Sequence, residues 1–331
     1  VPNLFFTGTG TRIIPKADLT VCKRLVIDGP ILDNRTNKSK LTILGTMERY
    51  GSGAFKSGTG SYPSSTVCFA GTTIQSIGGA TGDFNGLNKF NNIEINNPAG
   101  LNIGTNGLIE VNNQLYLTNG IIGTTSANRL VLLSTSTTSV SPAGGSSTSF
   151  VSGPLTKYID NGDAFIFPLG KGTFKGHKFT LTSTTGTTRP WTAEYFTPNS
   201  TATSIAAPLE VSNTLEYWSV SCTAASTAKI KIGWDPQSDL TPLMTANGIA
   251  DMRVAEYISS LWTELPSTTS GNNNTGEVAT LNNVNISGTA ENFTTASISG
   301  TLARASFVST APVCGYGGIP VSFISFTPIS L

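Results

Sequence analysis

The stretch from Phe90 to Thr124, "FNNIEINNPAGLNIGTNGLIEVNNQLYLTNGIIGT", decides the fold. From Asn85 to Asn119, 11 of 35 residues are Asn, which suits turns because it tolerates left-handed backbone angles and bonds its own backbone. The pattern therefore predicts very short strands joined by Asn- and Gly-rich turns. Apolar residues form pairs with one residue between them, and these are Ile93 and Ile95, Leu101 and Ile103, Ile109 and Val111, and Leu115 and Leu117.

The spacing of these pairs predicts a β-solenoid. The step from Ile93 to Leu115 is 22 residues, which is the length of one coil built from three short strands. One coil cannot bury its apolar pairs alone, whereas stacked coils bury them in one column and let Asn side chains form ladders between equivalent turns. The alternative is a chain of hairpins, because "TNGI" at Thr118–Ile121 is a type I′ turn signal. Strands of three residues make poor hairpins, which favours the solenoid.

Similar short runs precede this stretch, and longer strands follow it. "RLVLLSTS" at Arg129–Ser136 is interpreted as the last coil, and the Ser-, Thr- and Gly-rich Thr135–Thr148 as a loop. Beyond it, Lys229–Trp234 alternates lysines with Ile230, Ile232 and Trp234, which is typical of an antiparallel β-sandwich. We predict an all-β chain with a β-solenoid and N-terminal capping segment at 1–137, a linker at 138–150, a β-sandwich at 151–316 and an extended tail at 317–331.

Composition narrows the classes of function. The 331 residues are 38% hydrophobic and 12% charged, with a formal net charge of +1. A balance of this kind lacks the basic surface that nucleic acid or an anionic membrane requires, so we expect neither partner. No stretch approaches the ~20 consecutive apolar residues of a membrane span. The chain begins at Val1 with no apolar region long enough for a signal peptide, so we expect a soluble mature chain or a fragment.

Several phrases resemble a known family. "FAGTTIQSIGG" at Phe69–Gly79, "EYWSVSC" at Glu216–Cys222 and "ENFTTASIS" at Glu291–Ser299 are similar to segments of large secreted surface proteins of Bacteroidota. The resemblance implies an extracellular or cell-surface location, a solenoid followed by a sandwich, and export by the type IX secretion system. "GIPVSFISFTPISL" at Gly318–Leu331 resembles the linker that leads to further modules and a sorting domain. This family is largely adhesive or structural, and it contributes no catalytic residues.

The sequence also predicts that the chain is not an enzyme. Catalysis needs several titratable or nucleophilic groups brought together, and the chain has one histidine, His177, which we expect at the surface. None of the GxSxG, HExxH or CxxC patterns occurs.

Two acidic loops are candidates for calcium, which accepts oxygen ligands from such turns. One is "DNGD", with Asp160 and Asp163, and the other is "GDFNGLN", with Asp83 and Asn85. Asx residues are also good turn formers without any metal. We therefore predict no cofactor, with calcium at these loops as the alternative.

Four cysteines raise the question of disulfides. The simplest pairing joins Cys22 with Cys68 and Cys222 with Cys314, which fits an exported protein. Four buried free thiols are the alternative, because spacing does not fix connectivity.

Two functions follow from these patterns. The first is a structural or adhesive surface protein, either a stalk segment joined to neighbouring modules or a subunit of a fibre. The second is the carbohydrate-binding module of a secreted enzyme, which would recognise surface glycans through Trp191, Trp218, Trp234 or Trp262, although such residues are more often sandwich core.

For the fibre, the apolar termini predict head-to-tail strand addition between copies. The alternative is that both termini fold back on their own domains or are cut ends of a longer chain. The residues expected in this contact are Leu4, Phe5 and Phe6 at one end and Val321, Phe323 and Phe326 at the other.

Overall fold

The computed structural model describes residues 1–78, 84–104, 107–199, 204–236, 238, 240, 243 and 248–298. The protein is 53% strand, and the described residues contain no α-helix. Two short 3₁₀ helices lie at Gly86–Asn88 and Gly248–Asp251. Residues Val1–Thr301 form one compact unit, so the solenoid and the sandwich are not separate bodies.

The N-terminal part is a parallel β-solenoid of about seven turns. Two sheets run along it and a third accompanies its first three coils, and neighbouring coils pair in parallel in each sheet. Sheet A consists of β1 (Leu4–Thr7), β4 (Arg24–Asp28), β7 (Thr46–Tyr50), β10 (Gln75–Gly78), β12 (Leu101–Ile103), β14 (Ile122–Gly123), β17 (Val151–Ser152), β20 (Leu169–Lys171) and the antiparallel β21 (Phe174–Lys175). Sheet B consists of β2 (Thr11–Ile13), β5 (Ile31–Asp33) and β8 (Ala54–Lys56).

Sheet C begins in the solenoid and continues into the sandwich. Its parallel part consists of β3 (Leu19–Val21), β6 (Leu41–Ile43), β9 (Thr66–Phe69), β11 (Phe90–Asn96), β13 (Leu108–Asn119), β15 (Arg129–Leu132) and β18 (Leu155–Ile159), with β16 (Val140–Ser141) beside β13. Its antiparallel part consists of β23 (Arg189–Phe196), β25 (Tyr217–Cys222), β32 (Glu291–Ser297), β27 (Met252–Ile258) and β28 (Leu261–Leu265), with β24 (Val211–Ser212) beside β32.

The second sheet of the sandwich, sheet D, is antiparallel. It consists of β19 (Ala164–Phe167), β22 (Phe179–Ser183), β26 (Ser226–Trp234), β30 (Gly276–Thr280) and β29 (Ser267–Gly271), with β31 (Val284–Ile286) beside β26. Ile230 and Ile232 of β26 are fully buried and Trp234 nearly so, which confirms the predicted alternation. Phe179 stacks on Trp218 of sheet C, with ring centroids 5.5 Å apart, and joins the two sheets in one core.

The predicted coil length is confirmed by the register. Ile93 pairs with Leu115, and Leu101 pairs with Ile122 on the next coil. All four side chains are buried in the solenoid core. The apolar pairs of the sequence therefore stack one coil above the next, and the hairpin alternative is wrong.

Asn side chains form part of the predicted ladder. Asn113 donates a hydrogen bond from Nδ2 to Oδ1 of Asn92 on the neighbouring coil, at 2.8 Å. Asn97 is fully buried and donates from Nδ2 to Oε1 of Gln75 at 2.9 Å. Each bond ties one coil to the next through side chains rather than through the backbone.

One predicted turn is absent. The pairs Ile109/Val111 and Leu115/Leu117 were expected on separate strands, but both lie on the continuous β13. Its register against β11 shifts between Phe90 and Asn92, so Asn112 and Asn113 are accommodated by a bulge instead of a turn.

The parallel stack also extends beyond the predicted end of the solenoid at residue 137. Within the expected linker, 138–150, β16 pairs in parallel with β13, and Phe150 is fully buried. Val151 then pairs with Leu169 in sheet A, and Leu130 with Leu155 in sheet C. Small Ser and Thr residues made this segment look like a linker, yet their backbone continues the coil. The tail predicted at 317–331 lies outside the described residues.

Candidate functional site: the open first rung

The first coil of the solenoid presents an unfinished edge. This coil, called the first rung below, comprises β1, β2 and β3. Each of the three strands pairs with one other strand, β4, β5 and β6 respectively, within the part of the chain that the structure describes, and only β3 is also bonded on its outer side, by Val1. In a parallel strand, alternate residues direct their N–H and C=O groups to opposite sides. The outer side of β1 therefore offers backbone donors and acceptors to a further strand.

The side chains of the first rung show the same incompleteness. Leu4, Phe6 and Leu19 point into the core but are only partly buried. The residues stacked beneath them on the second coil, Leu25, Ile27 and Leu41, are completely buried. Because the two sets occupy equivalent positions, the difference arises from the place of the first rung at the end of the described stack.

Two larger apolar side chains add to this surface. Phe5 is 53% exposed and Ile13 is 57% exposed. The guanidinium of Arg24 lies 5.7 Å from the Phe5 ring centroid, and it is held there by Glu48 at 2.6 Å. Exposed apolar residues on an unpaired edge are typical of an interaction site rather than of a solvated end.

The protein covers part of the rung with its own N-terminus. The Val1 ammonium group donates to the carbonyl of Thr20 at 2.7 Å, and the Val1 carbonyl accepts a bond from the Cys22 amide at 2.7 Å. Arg12, which shares a register row with the buried Leu32 and Phe55, places an exposed charge at the end of that row. The N-terminus therefore covers the outer side of β3 and leaves the outer side of β1 without a strand partner among the described residues.

Of the six residues predicted for assembly, Leu4, Phe5 and Phe6 lie together on β1. Val321, Phe323 and Phe326 lie outside the described residues. The donor half of the predicted contact therefore stays a prediction.

The structure does not form the expected Cys22–Cys68 disulfide. Cys68 pairs with Thr42 and Thr42 with Thr20, so two strand spacings, about 9.6 Å, separate Cys68 from the level of Cys22. Cα atoms more than about 7 Å apart do not bridge without backbone movement. Cys22 is an exposed free thiol, so the alternative of four buried thiols also fails.

Two further cysteines, Cys68 and Cys222, are buried. Burial raises the pKa of the Cys68 thiol to about 12, which makes it unreactive at neutral pH. Cys222 is a buried free thiol and accepts a hydrogen bond from Ser226 Oγ at 3.3 Å. Cys314 lies outside the described residues, so the Cys222–Cys314 disulfide stays a prediction.

The calcium loops behave as turns. Asp160 accepts a hydrogen bond from the Thr188 hydroxyl, and Asn161 accepts one from the Gly186 amide at 3.0 Å. Asn85 precedes the Gly86–Asn88 helix, and Asp83 lies outside the described residues. Among the residues that the structure describes, no three His, Cys, Asp or Glu side chains, Asp163 included, are grouped to hold a metal ion. Calcium at these loops therefore stays a prediction.

His177 is not at the surface, contrary to expectation. Its side chain is 7% exposed, with Nδ1 2.5 Å from Glu216 Oε1 and Nε2 3.4 Å from Asp235 Oδ1. Burial lowers the pKa of the imidazole, but the hydrogen bond and charge of Glu216 outweigh burial and raise it overall. The expectation failed because Glu216 lies 39 residues away and reaches His177 only in the folded chain.

A cleft of about 500 Å³ adjoins this pair. The charged residues that line this cleft pair with one another, because Lys178 contacts Glu277 and His177 contacts Asp235. Trp234 also lines it, yet its indole is nearly buried and donates to the Asn272 carbonyl at 2.8 Å. Trp191, Trp218 and Trp262 are fully buried, so the prediction that the tryptophans are core is confirmed and none offers a flat sugar platform.

Two further buried titratable groups escaped sequence reasoning. Lys157 is fully buried, and its Nζ donates to the carbonyls of Ser134 and Tyr158. Glu256 lies against Glu291, and burial together with that neighbour raises its pKa to about 8. An inward position for Lys157 is readable from the alternation Leu155, Lys157, Ile159, whereas the Glu256–Glu291 pair depends on strand order.

Comparison with known proteins gives no relative, since the chain matches no family model, no curated protein and no solved structure. No helix among the described residues combines the length and apolar character that crossing a membrane would need.

Proposed function

We propose that this chain is a non-enzymatic structural or adhesive protein of the cell surface. It acts as a stalk segment or as the subunit of a fibre, and it is extended by strand addition at the first rung. The observation that carries the proposal is the continuity of sheet C. The sheet runs from β3 through β18 to β28, so the solenoid and the sandwich share one hydrogen-bonded sheet.

The junction between the two architectures lies at β18. On one side β18 pairs in parallel with β15, and on the other it pairs antiparallel with β23. Domains joined by a flexible linker move relative to one another by default. A shared sheet removes that freedom. A stalk segment or fibre subunit needs such rigidity, because it must hold its neighbours at a fixed distance.

A stalk or fibre also needs a place where the next module or subunit attaches, and the open first rung would provide it. Strand addition uses backbone hydrogen bonds for affinity and side-chain rows for specificity. The partly buried Leu4 and Phe6 provide such a row. The carbohydrate-binding alternative is less well supported, because all four tryptophans of the chain are buried.

Immunogold electron microscopy of intact producing cells tests this proposal. We expect gold particles on the cell surface, along stalks or fibres that extend from it. Label confined to the cell interior would contradict the structural function, and so would hydrolase activity that an Asp or Glu substitution abolishes.

A further inference from the structure

On the premise of the structural function proposed above, we infer that the first rung of one copy is completed by Ile319–Leu331 of a second copy. This donor segment would lie along the open side of β1. The acceptor is built from described residues: the unpaired edge of β1 and the partly buried Leu4 and Phe6.

The donor segment has the composition that this edge requires. Ile319–Leu331 reads "IPVSFISFTPISL" and contains no charged residue. Pro320 and Pro328 bound the run Val321–Thr327, which keeps every backbone N–H that a ladder needs. Its seven residues exceed the four of β1.

The spacing of its side chains also matches the acceptor. Leu4 and Phe6 are two residues apart and face the core together. Val321/Phe323 and Ile324/Phe326 have the same spacing. The first three coils pair with one another in parallel in all three sheets. A donor strand that continues the stack would therefore also run parallel to β1.

Reach favours a second copy over the same chain. β25, which ends at Cys222, lies eight strand positions from β3 in sheet C, or about 38 Å along the sheet. With the predicted Cys222–Cys314 disulfide formed, the seven steps from Cys314 to Val321 span at most about 25 Å. The donor would then fall short of its own first rung, whereas another copy has no such limit. A head-to-tail contact between two different surfaces produces a fibre when its rotation does not close a ring.

Two variants separate the halves of this contact. Deletion of Ile319–Leu331 removes the donor and keeps the acceptor. Phe6→Lys keeps the donor and blocks the acceptor, because the partly buried Lys reaches water in a free rung but not in a covered one. Leu87→Lys is the matched control, because Leu87 is 83% exposed on the solenoid and lies outside both surfaces. Circular dichroism checks that each variant folds.

We expect wild type and Leu87→Lys to form oligomers of increasing length by mass photometry. Each defective variant alone should be monomeric, and their equimolar mixture should double in mass to a dimer and grow no further. Assembly of the deletion variant alone would indicate pairing of two first rungs and overturn the inference. Monomeric wild type at high concentration would overturn it too, while leaving the chain free to serve as a stalk segment.

A synthetic Ile319–Leu331 peptide gives a second measurement that does not depend on the Phe6→Lys variant. We expect the labelled peptide to bind the deletion variant with one site per chain, by fluorescence anisotropy, and a scrambled peptide not to bind. Absence of binding by the native peptide would contradict the inference even if wild-type chains assemble.

Discussion

Lys157 shows how one residue can set the pH dependence of stability. Burial lowers the pKa of its ammonium group to about 8, from an ordinary value of 10.5. Below pH 8 the folded protein carries this charge in its core, with two carbonyls and the Phe165 ring as its neighbours. Between pH 8 and 10.5 the folded state loses the proton before the unfolded state does, so this group's contribution to stability rises with pH.

We therefore expect the free energy of unfolding of wild type to rise relative to that of Lys157→Met across this interval. The relative gain should be roughly 2–3 kcal/mol, because one pKa unit corresponds to about 1.4 kcal/mol. Urea unfolding of both proteins at pH 7, 8, 9 and 10 measures it. A constant difference between the two proteins would show that Lys157 does not titrate in this range.

His177 gives the opposite sign. Its pKa is raised in the folded state, so its stabilising contribution is complete below its ordinary value of 6.5 and is lost as pH rises through the folded value. Because the chain has one histidine, a single imidazole signal reports this titration by NMR. We expect that signal to titrate above pH 6.5 and Glu216→Gln to move its midpoint down. An unchanged midpoint in Glu216→Gln would exclude the carboxylate as the cause.

At the scale of the coil, the side chain of Asn97 makes several hydrogen bonds within its own coil and to the neighbouring one. Its Nδ2 donates to Thr73 O at 2.8 Å and to Gln75 Oε1 at 2.9 Å, and its Oδ1 accepts from the Ala99 amide at 3.0 Å. Asn97→Ala removes these three hydrogen bonds, each worth about 0.5–1.5 kcal/mol net. Gln75 Oε1 keeps the Gly71 amide as a donor, and Thr73 and Ala99 are exposed, so the substitution does not add the cost of a fully unpaired buried group at these positions. We expect an overall loss of roughly 2–4 kcal/mol in urea unfolding.

The neighbouring Asn96 is exposed and provides the control for this substitution. Asn96→Ala should change the free energy of unfolding by less than about 0.5 kcal/mol, as surface substitutions usually do. Equal losses of stability in the two variants would mean that the side-chain hydrogen bonds of Asn97 make no net contribution to the free energy of unfolding.

The elements that sequence reasoning placed correctly are those whose spacing alone specifies them. Ile93 and Leu115 stack because 22 residues complete a coil, and Ile230 and Ile232 face the core because strands alternate. What escaped it depends on partners far apart in the chain. Asn113 extends β13 because Asn92 accepts its hydrogen bond, and residues 138–150 join the stack because β13 offers an edge.

The candidate site was predicted in the same uneven way. The apolar run Leu4–Phe6 predicted a candidate edge at β1 from composition. The burial contrast at this edge required the second coil, because only the comparison with Leu25 and Ile27 shows that Leu4 and Phe6 are less buried than equivalent residues. His177 and Glu216 had no local signal at all, since Glu216 looks like an ordinary strand residue in the sequence.

For the whole molecule, the shared sheet predicts that the solenoid and the sandwich unfold together. All four tryptophans lie between Trp191 and Trp262, so their fluorescence reports on the C-terminal half alone. We expect Asn97→Ala, a lesion in the solenoid, to lower the unfolding midpoint by tryptophan fluorescence and by far-UV circular dichroism to the same extent. Repeat stacks can lose such cooperativity. An unshifted fluorescence transition would show that the two halves unfold independently.

The regular register of the coils has a consequence for how such a protein changes over generations. Leu101 pairs with Gln75 below it and with Ile122 above it, so removal of residues 101–121 would bring Ile122 onto Gln75 in the same phase. A gene that gains or loses whole coils by recombination keeps every inward side chain inward, whereas a shift of one residue within a strand turns that strand inside out. The length of the solenoid can therefore be inherited in discrete steps, each one strand spacing of about 4.8 Å.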